Sequence, residues 1–197
     1  MVKRLFILVI ALSYFSIIPV PTKNLEIKEE TYKYTLFLLP LVGAILALLV
    51  IGVNFTLNQL FSPIYSCFVS AVIYLFLYGF LHLEAVCDVA DGWFASYSGK
   101  DVYKIMKEPT IGAIGAIYTF CFVLLKVAII TYILYEKEYF LFVMVCVFSR
   151  LNLIYLLEYF EFNKNSFLAL AFQSAGVFQL KVLALIYVFI AFIFGTN

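Results

Sequence analysis

Six apolar runs divide this chain, and short polar stretches separate them. They are Leu5–Ile18, Tyr34–Val53, Ile64–Leu81, Ile111–Tyr135, Tyr139–Leu157 and Val182–Phe194. A helix that crosses a bilayer at right angles needs about 20 apolar residues, whereas runs of about 10–14 suit re-entrant or interfacial pieces. Runs two to five are therefore predicted spans. The first is predicted to be re-entrant or interfacial. The sixth, lengthened by Leu180 and Lys181, is predicted to cross last. The expected fold is all-α: one integral membrane domain over 1–197, with about five transmembrane helices and an N-terminal segment that does not cross.

The basic residues support that topology. If the first segment does not cross, then Lys3, Arg4, Lys23, Lys28, Lys33, Lys100, Lys104, Lys107 and Lys164 share one side, and Lys137 stands alone opposite. If it crosses, Lys3 and Arg4 move over to join Lys137, and the asymmetry weakens. Lys and Arg concentrate on the cytoplasmic side. The N-terminus and the loops near 20–33, 82–110 and 158–166 are thus predicted to face the cytoplasm, across a cell inner membrane. Lys3 and Arg4 also imitate the start of a signal peptide. The run after them ends in Pro19-Val20-Pro21 with no small-x-small cleavage site, so this segment is expected to stay in the mature protein.

Composition sharpens the picture. The 197 residues are 65% hydrophobic and 13% charged, against about 25% charged in soluble domains. Water would not tolerate that much apolar surface, but lipid does. The net charge of +1, with no long Lys/Arg run, points to no nucleic-acid partner. Cys67, Cys87, Cys121 and Cys146 form no C-x-x-C pair and sit in or beside apolar runs. They are expected as small apolar residues, not as a disulfide framework or a zinc site.

Chemistry concentrates just after the third run, in His82-Leu83-Glu84-Ala85-Val86-Cys87-Asp88-Val89-Ala90-Asp91-Gly92. Acids beside an apolar span are costly unless something pairs with them. Glu84, Asp88 and Asp91 are spaced by four and then three residues, which puts them within roughly a 60° sector of one helix face. Three anions held so close repel one another unless a cation sits between them. Hard oxygen donors at this spacing suit Mg²⁺ or Mn²⁺, with waters and substrate phosphate completing the shell. Gly92 is predicted to cap the end of that helix. A solvated helix end is the plainer explanation for any one of these acids taken alone.

Lys100, Lys104 and Lys107 repeat the 4+3 spacing and predict a short amphipathic helix with a cationic face. An ordinary solvated helix has the same pattern. Pro109 is predicted as the first residue of the next helix, whose free N–H groups, beside Lys107, could receive a phosphate. Gly112 and Gly115 would let a backbone or a ligand approach closely, or serve plain helix packing. Lys126 and Arg150 lie well inside apolar runs, where charges are functional candidates by default. A structural ion pair is the alternative for Lys126, and a bidentate phosphate clamp is the reading for Arg150.

These residues resemble a known family. The stretch from His82 to Gly92 is similar to the cobalamin synthase signature His-Leu-Asp-Gly-Leu-Ala-Asp-Thr-x-Asp-Gly, with His82, Leu83, Asp88, Asp91 and Gly92 matching and Glu84 replacing an Asp. Ile105-Met106-Lys107-Glu108-Pro109-Thr110-Ile111-Gly112-Ala113-Ile114-Gly115 resembles the family's Ile-Met-Lys-Asp-Ser-Arg-Ile-Gly-Thr-x-Gly, and Pro19-Val20-Pro21 its N-terminal segment. The resemblance covers roughly residues 5–155, and Lys126 and Ser149-Arg150 fall where the family carries such residues. Thr110 and Ile17 stand where the family usually has Arg, and its C-terminal Thr-Gly-Asp element has no counterpart here.

The resemblance implies an adenosylcobinamide-GDP ribazoletransferase. Its substrates would be adenosylcobinamide-GDP and α-ribazole or its 5′-phosphate, its cofactor Mg²⁺, and its setting a lipid bilayer, with an oligomer allowed. It implies Glu84, Asp88 and Asp91 as metal ligands, with Asp88 and Asp91 also catalytic. Lys107, Glu108, Gly112, Lys126 and Arg150 would bind substrate, and His82 would act as general base. On an ideal helix His82 lies roughly 160–200° around from the acids.

Three rival readings exist. A CDP-alcohol phosphotransferase motif begins at Asp88, but Ser96 stands where it needs Arg, and its later Gly, Asp and Asp fall on Ile105, Pro109 and Ala113. A transporter would want its acids near the midplane. A non-catalytic membrane scaffold would keep the fold without the chemistry.

Overall fold

The computed structural model describes residues 2–18, 29–80, 82–159, 182 and 184–189. The Pro19–Pro21 segment, the loop near 158–166 beyond Tyr159 and the end of the sixth run beyond 189 lie outside the described residues. Those described form helices and turns and no strand. In order the helices are α1 (Val2–Phe15), α2 (Glu29–Leu57), α3 (Pro63–Leu77), α4 (Leu83–Ser96), α5 (Val102–Ile105), α6 (Ala113–Tyr135) and α7 (Tyr139–Tyr159). Two of them, over Thr35–Leu57 and Ala113–Tyr135, are long and apolar enough to cross a membrane.

Two antiparallel pairs organise the core. In the first, α2 runs against α7. Leu36 and Leu39 pack with Val147 and Leu151, a Cβ at Gly43 would come within 2.5 Å of the Cys146 carbonyl oxygen, and the Phe55 and Tyr139 rings sit 5.1 Å apart. Gly43 is the position that lets these two backbones meet.

In the second pair, α3 and then α4 run along α6. Ile64 and Phe68 share a groove with Thr131, Tyr132 and Tyr135, Tyr78 meets Lys126, and Asp91 meets Gly112 and Gly115. The order of these contacts shows α3 and α4 as two halves of one line against α6. Polar side chains also tie α2 to α3: fully buried Asn54 donates to Ser70 Oγ at 3.3 Å and to Cys67 Sγ at 3.4 Å.

The line breaks at Tyr78–His82. The Ile64–Leu81 run was expected to be continuous, yet α3 stops at Leu77. Gly79 takes φ 71°, and N–H groups of Gly79 and Phe80 close onto the carbonyls of Phe76 and Leu75 at 2.9 and 3.3 Å. This is a Schellman stop. Phe80 (φ 51°) and His82 (φ 71°) are also left-handed, which costs a side-chain-bearing residue energy and needs tertiary support. Part of that support comes from the segment just after α1, because Ile17 N–H donates to the Leu77 carbonyl at 2.9 Å.

The outward surface is apolar. On α6, Ile117, Phe120 and Leu125 are 65%, 63% and 60% exposed, so this helix shows hydrocarbon wherever it does not touch α3 or α4. Cys67, Cys87 and Cys146 are buried as expected, whereas Cys121 is exposed on the same outer face; all four are free thiols.

Candidate active site

Five of the predicted site residues, His82, Lys126 and Arg150 in one and Asp91 and Gly112 in the other, fall into two groups at different heights along α6. Eleven residues separate Gly115 from Lys126, about 17 Å of helix.

The first group surrounds a cavity of about 370 Å³ at the level of the α3–α4 break, lined by Phe15, Leu39, Tyr78, His82, Lys126, Ser149, Arg150, Asn152, Leu153 and Leu156. Lys126 Nζ donates to the Tyr78 hydroxyl at 3.3 Å and lies 4.4 Å from the centre of the Tyr78 ring. Arg150 Nη1 donates to the Tyr74 hydroxyl (2.8 Å), the Cys146 carbonyl (3.2 Å) and Ser149 Oγ (2.8 Å). Cys146 Sγ donates to the same Tyr74 oxygen at 3.3 Å.

No carboxylate joins this network among the described residues. Among the described residues Lys126 meets a hydroxyl and a ring face, not the acid considered for it. A neutral hydroxyl orients a cation but does not cancel its charge, and an anion entering the cavity would meet both positive side chains. His82, at the N-cap of α4, completes the rim. Its left-handed N-cap backbone (φ 71°) puts it outside the helix on which its angle to the acids is reckoned.

The second group joins the far half of α4 to the start of α6. Asp91 Oδ2 accepts from Gly112 N–H and Asp91 Oδ1 from Gly115 N–H, both at 2.7 Å. The helix N-terminus expected to offer N–H groups to a phosphate thus already receives an anion from its own chain. It also starts later than Pro109 suggested: Gly112 is its N-cap, and Pro109 lies in the bend before it. Gly92 does not end α4 either, since the helix continues to Ser96 and turns at left-handed Gly99. Gly92 is buried instead, where a Cβ would come within 2.9 Å of Val102 and 3.1 Å of Met106. Its bareness lets α5 settle on α4.

The three acids do not form one grip. Among the described residues no three His, Cys, Asp or Glu side chains are grouped to hold a metal ion, and Asp91 is turned toward α6. Exposed Glu84 and half-buried Asp88 remain, one turn apart on α4, with no hydrogen-bond partner among the described residues. Such a pair suits Mg²⁺, which commonly takes one or two carboxylates and completes its shell with water and substrate phosphate.

The basic helix is shorter than its lysine spacing suggested. α5 is a single turn, capped by Asp101, whose Oδ1 accepts from the N–H groups of Tyr103 and Lys104 at 3.0 and 3.3 Å. Lys100 and Lys107 fall outside it. Lys107 and Glu108 are exposed in the bend before α6 and line neither the cavity nor the Asp91 contact. Tyr74, Tyr78 and Asn152 were not singled out from sequence. The i,i+4 spacing of Tyr74 and Tyr78 was a usable signal, since it places two polar tips on one face of an apolar helix.

Comparison with known proteins adds the lineage. A protein from Treponema denticola, named adenosylcobinamide-GDP ribazoletransferase, is 32% identical over 168 residues, 85% of this chain and 63% of that protein. Relatives of the same name from Acinetobacter baumannii and Brevibacillus brevis are each 32% identical, over 70% and 59% of this chain and 55% and 46% of their own lengths. The chain thus spans about half to two thirds of the curated relatives it matches. No solved structure matches it. The family model described as cobalamin-5-phosphate synthase matches residues 7–196, and the chain belongs to that family.

Proposed function

We propose that this protein is a membrane-embedded ribazoletransferase that joins α-ribazole, or its 5′-phosphate, to adenosylcobinamide-GDP. A ribose hydroxyl oxygen of the ribazole attacks the phosphorus on the corrinoid side of the diphosphate. The new P–O bond forms, the bond to the GMP oxygen breaks, and the hydroxyl proton is lost. The names of the relatives motivate the substrates. The geometric observation that carries the reading is the meeting of Lys126 and Arg150 in one cavity with no acid beside them among the described residues.

Phosphoryl transfer needs alignment and neutralisation of oxygen charge. Arg150, held through Nη1 alone among the described residues, leaves Nε and Nη2 to grip phosphate oxygens. Lys126 adds a second positive charge from the facing helix. His82 at the rim is the candidate to take the hydroxyl proton. Glu84 and Asp88 are the proposed holders of Mg²⁺, which when bound would offset charge on the diphosphate. The bilayer setting rests on the two long apolar helices and the exposed hydrocarbon of α6. The remaining spans, to a total of about five, the re-entrant first segment and the cytoplasmic orientation of the acidic end in the inner membrane belong to the same proposal.

The test is direct. Membranes that hold the full chain are incubated with Mg²⁺, adenosylcobinamide-GDP and α-ribazole or its 5′-phosphate. Divalent-dependent release of GMP together with a completed corrinoid is expected. Well-inserted protein that makes neither product would overturn the assignment.

A further inference from the structure

We propose that Asp91 is a positioning residue: it caps α6 from the neighbouring helix and acts by fixing where α4 sits, not by ligating the metal ion. The first N–H groups of any α-helix lack partners within it, and a Ser, Thr, Asp or Asn at the N-cap normally supplies one. The N-cap of α6 is Gly112, which has no side chain to offer. The acceptor comes instead from a residue 21 and 24 positions away from the two N–H groups it receives, each at 2.7 Å. A carboxylate there also sits favourably at the positive end of a 23-residue helix.

The two glycines belong to the same device. A Cβ at Gly112 would fall on the Asp91 carboxylate, and one at Gly115 would meet both that carboxylate and, at 2.6 Å, the Cys87 carbonyl oxygen. Asp91, Gly112 and Gly115 therefore form one clasp in which each depends on the other two. The clasp fastens the far half of α4 to α6. Glu84 and Asp88 lie on α4, and Lys126 lies on α6, so the clasp fixes the helix that carries the acids against the helix that carries Lys126. Only the activity readout of this proposal rests on the function proposed above.

Asp91→Asn, Asp91→Ala, Gly115→Ala and the Asp91→Ala/Gly115→Ala pair, each in the full chain, separate the two roles. Asn keeps one acceptor oxygen and can still receive one of the two N–H groups, yet loses the charge that makes a good Mg²⁺ ligand. Hydrogen exchange of the first-turn amides of α6 is expected to rise roughly tenfold in Asp91→Ala and in Gly115→Ala. It should rise less in Asp91→Asn, and no further in the pair than in Asp91→Ala. In GMP release, Asp91→Asn should keep roughly a third or more of wild-type kcat, while Asp91→Ala loses kcat at an unchanged half-saturating Mg²⁺ concentration. Unchanged exchange in Asp91→Ala would overturn the clasp. So would a half-saturating Mg²⁺ concentration raised tenfold in Asp91→Asn. If the wild-type protein releases no GMP, the function proposed above fails, and the exchange measurement still decides the clasp.

Discussion

The cation cavity and the α4–α6 clasp treat their charges in opposite ways. In the cavity, Lys126 and Arg150 are held by tyrosine hydroxyls, ring faces and a carbonyl, none of which cancels a positive charge. In the clasp, a negative charge meets two backbone N–H groups at a helix start, which is a nearly complete solution of its electrostatic problem. A charge balanced by the protein's own backbone belongs to the architecture. A charge that neutral groups merely orient is left for a ligand. By that criterion the cavity is the proposed anion site, and Asp91 the proposed structural residue.

Substitutions at four positions can break or sharpen the contrast. Asp88→Asn should have the largest effect, a loss of turnover of roughly a thousandfold or more with normal membrane insertion. Near-normal GMP release from that variant would remove the acid pair from the chemistry. Arg150→Met comes next, with kcat/KM down roughly a hundredfold and Arg150→Lys recovering only part, because the planar fork is lost. Full recovery by Lys would show that charge alone suffices. Gly43→Ala is expected to destabilise the α2–α7 contact by about 1–3 kcal/mol, seen as a lower unfolding midpoint in detergent. Its Cβ would also press on Arg150 Cδ at 3.3 Å, so KM should rise with it. Tyr78→Phe is the mildest. It keeps the ring under Lys126 and removes one hydroxyl acceptor, about 1 kcal/mol or roughly fivefold in KM. A larger loss would mean that the hydroxyl itself touches substrate.

Much of the helix inventory was legible beforehand. The second, fourth and fifth runs became α2, α6 and α7, with ends moved by a few residues, since a long apolar run with helical propensity has few alternatives in lipid. The third run became α3, which stops four residues before the run ends. Nothing apolar distinguishes Leu77 from Leu81, and the stop depends on Gly79, Phe80 and His82 turning left-handed, a choice that the segment just after α1 helps to sustain. The lysine helix was overextended because 4+3 spacing records a face but not a length. Asp101, one residue before α5, was the better guide to where that turn begins.

At the site, residue types were easier to foresee than partners. Lys126, Arg150 and Asp91 were each singled out because charge is costly beside hydrocarbon, and each turned out to have a specific setting.

What sequence determined alone is the set of helices, the need for a lipid-like surround and the list of charges that demand an explanation; these follow from local periodicity and from the cost of taking ions out of water. Only the tertiary structure decided which charge meets which group. Lys126 finds a tyrosine 48 residues away and Arg150 one 76 residues away, and such meetings depend on how each helix is rotated and how far it slides along its neighbour. A shift of one turn moves a side chain about 5 Å, enough to exchange a hydroxyl for hydrocarbon, and no local pattern encodes it.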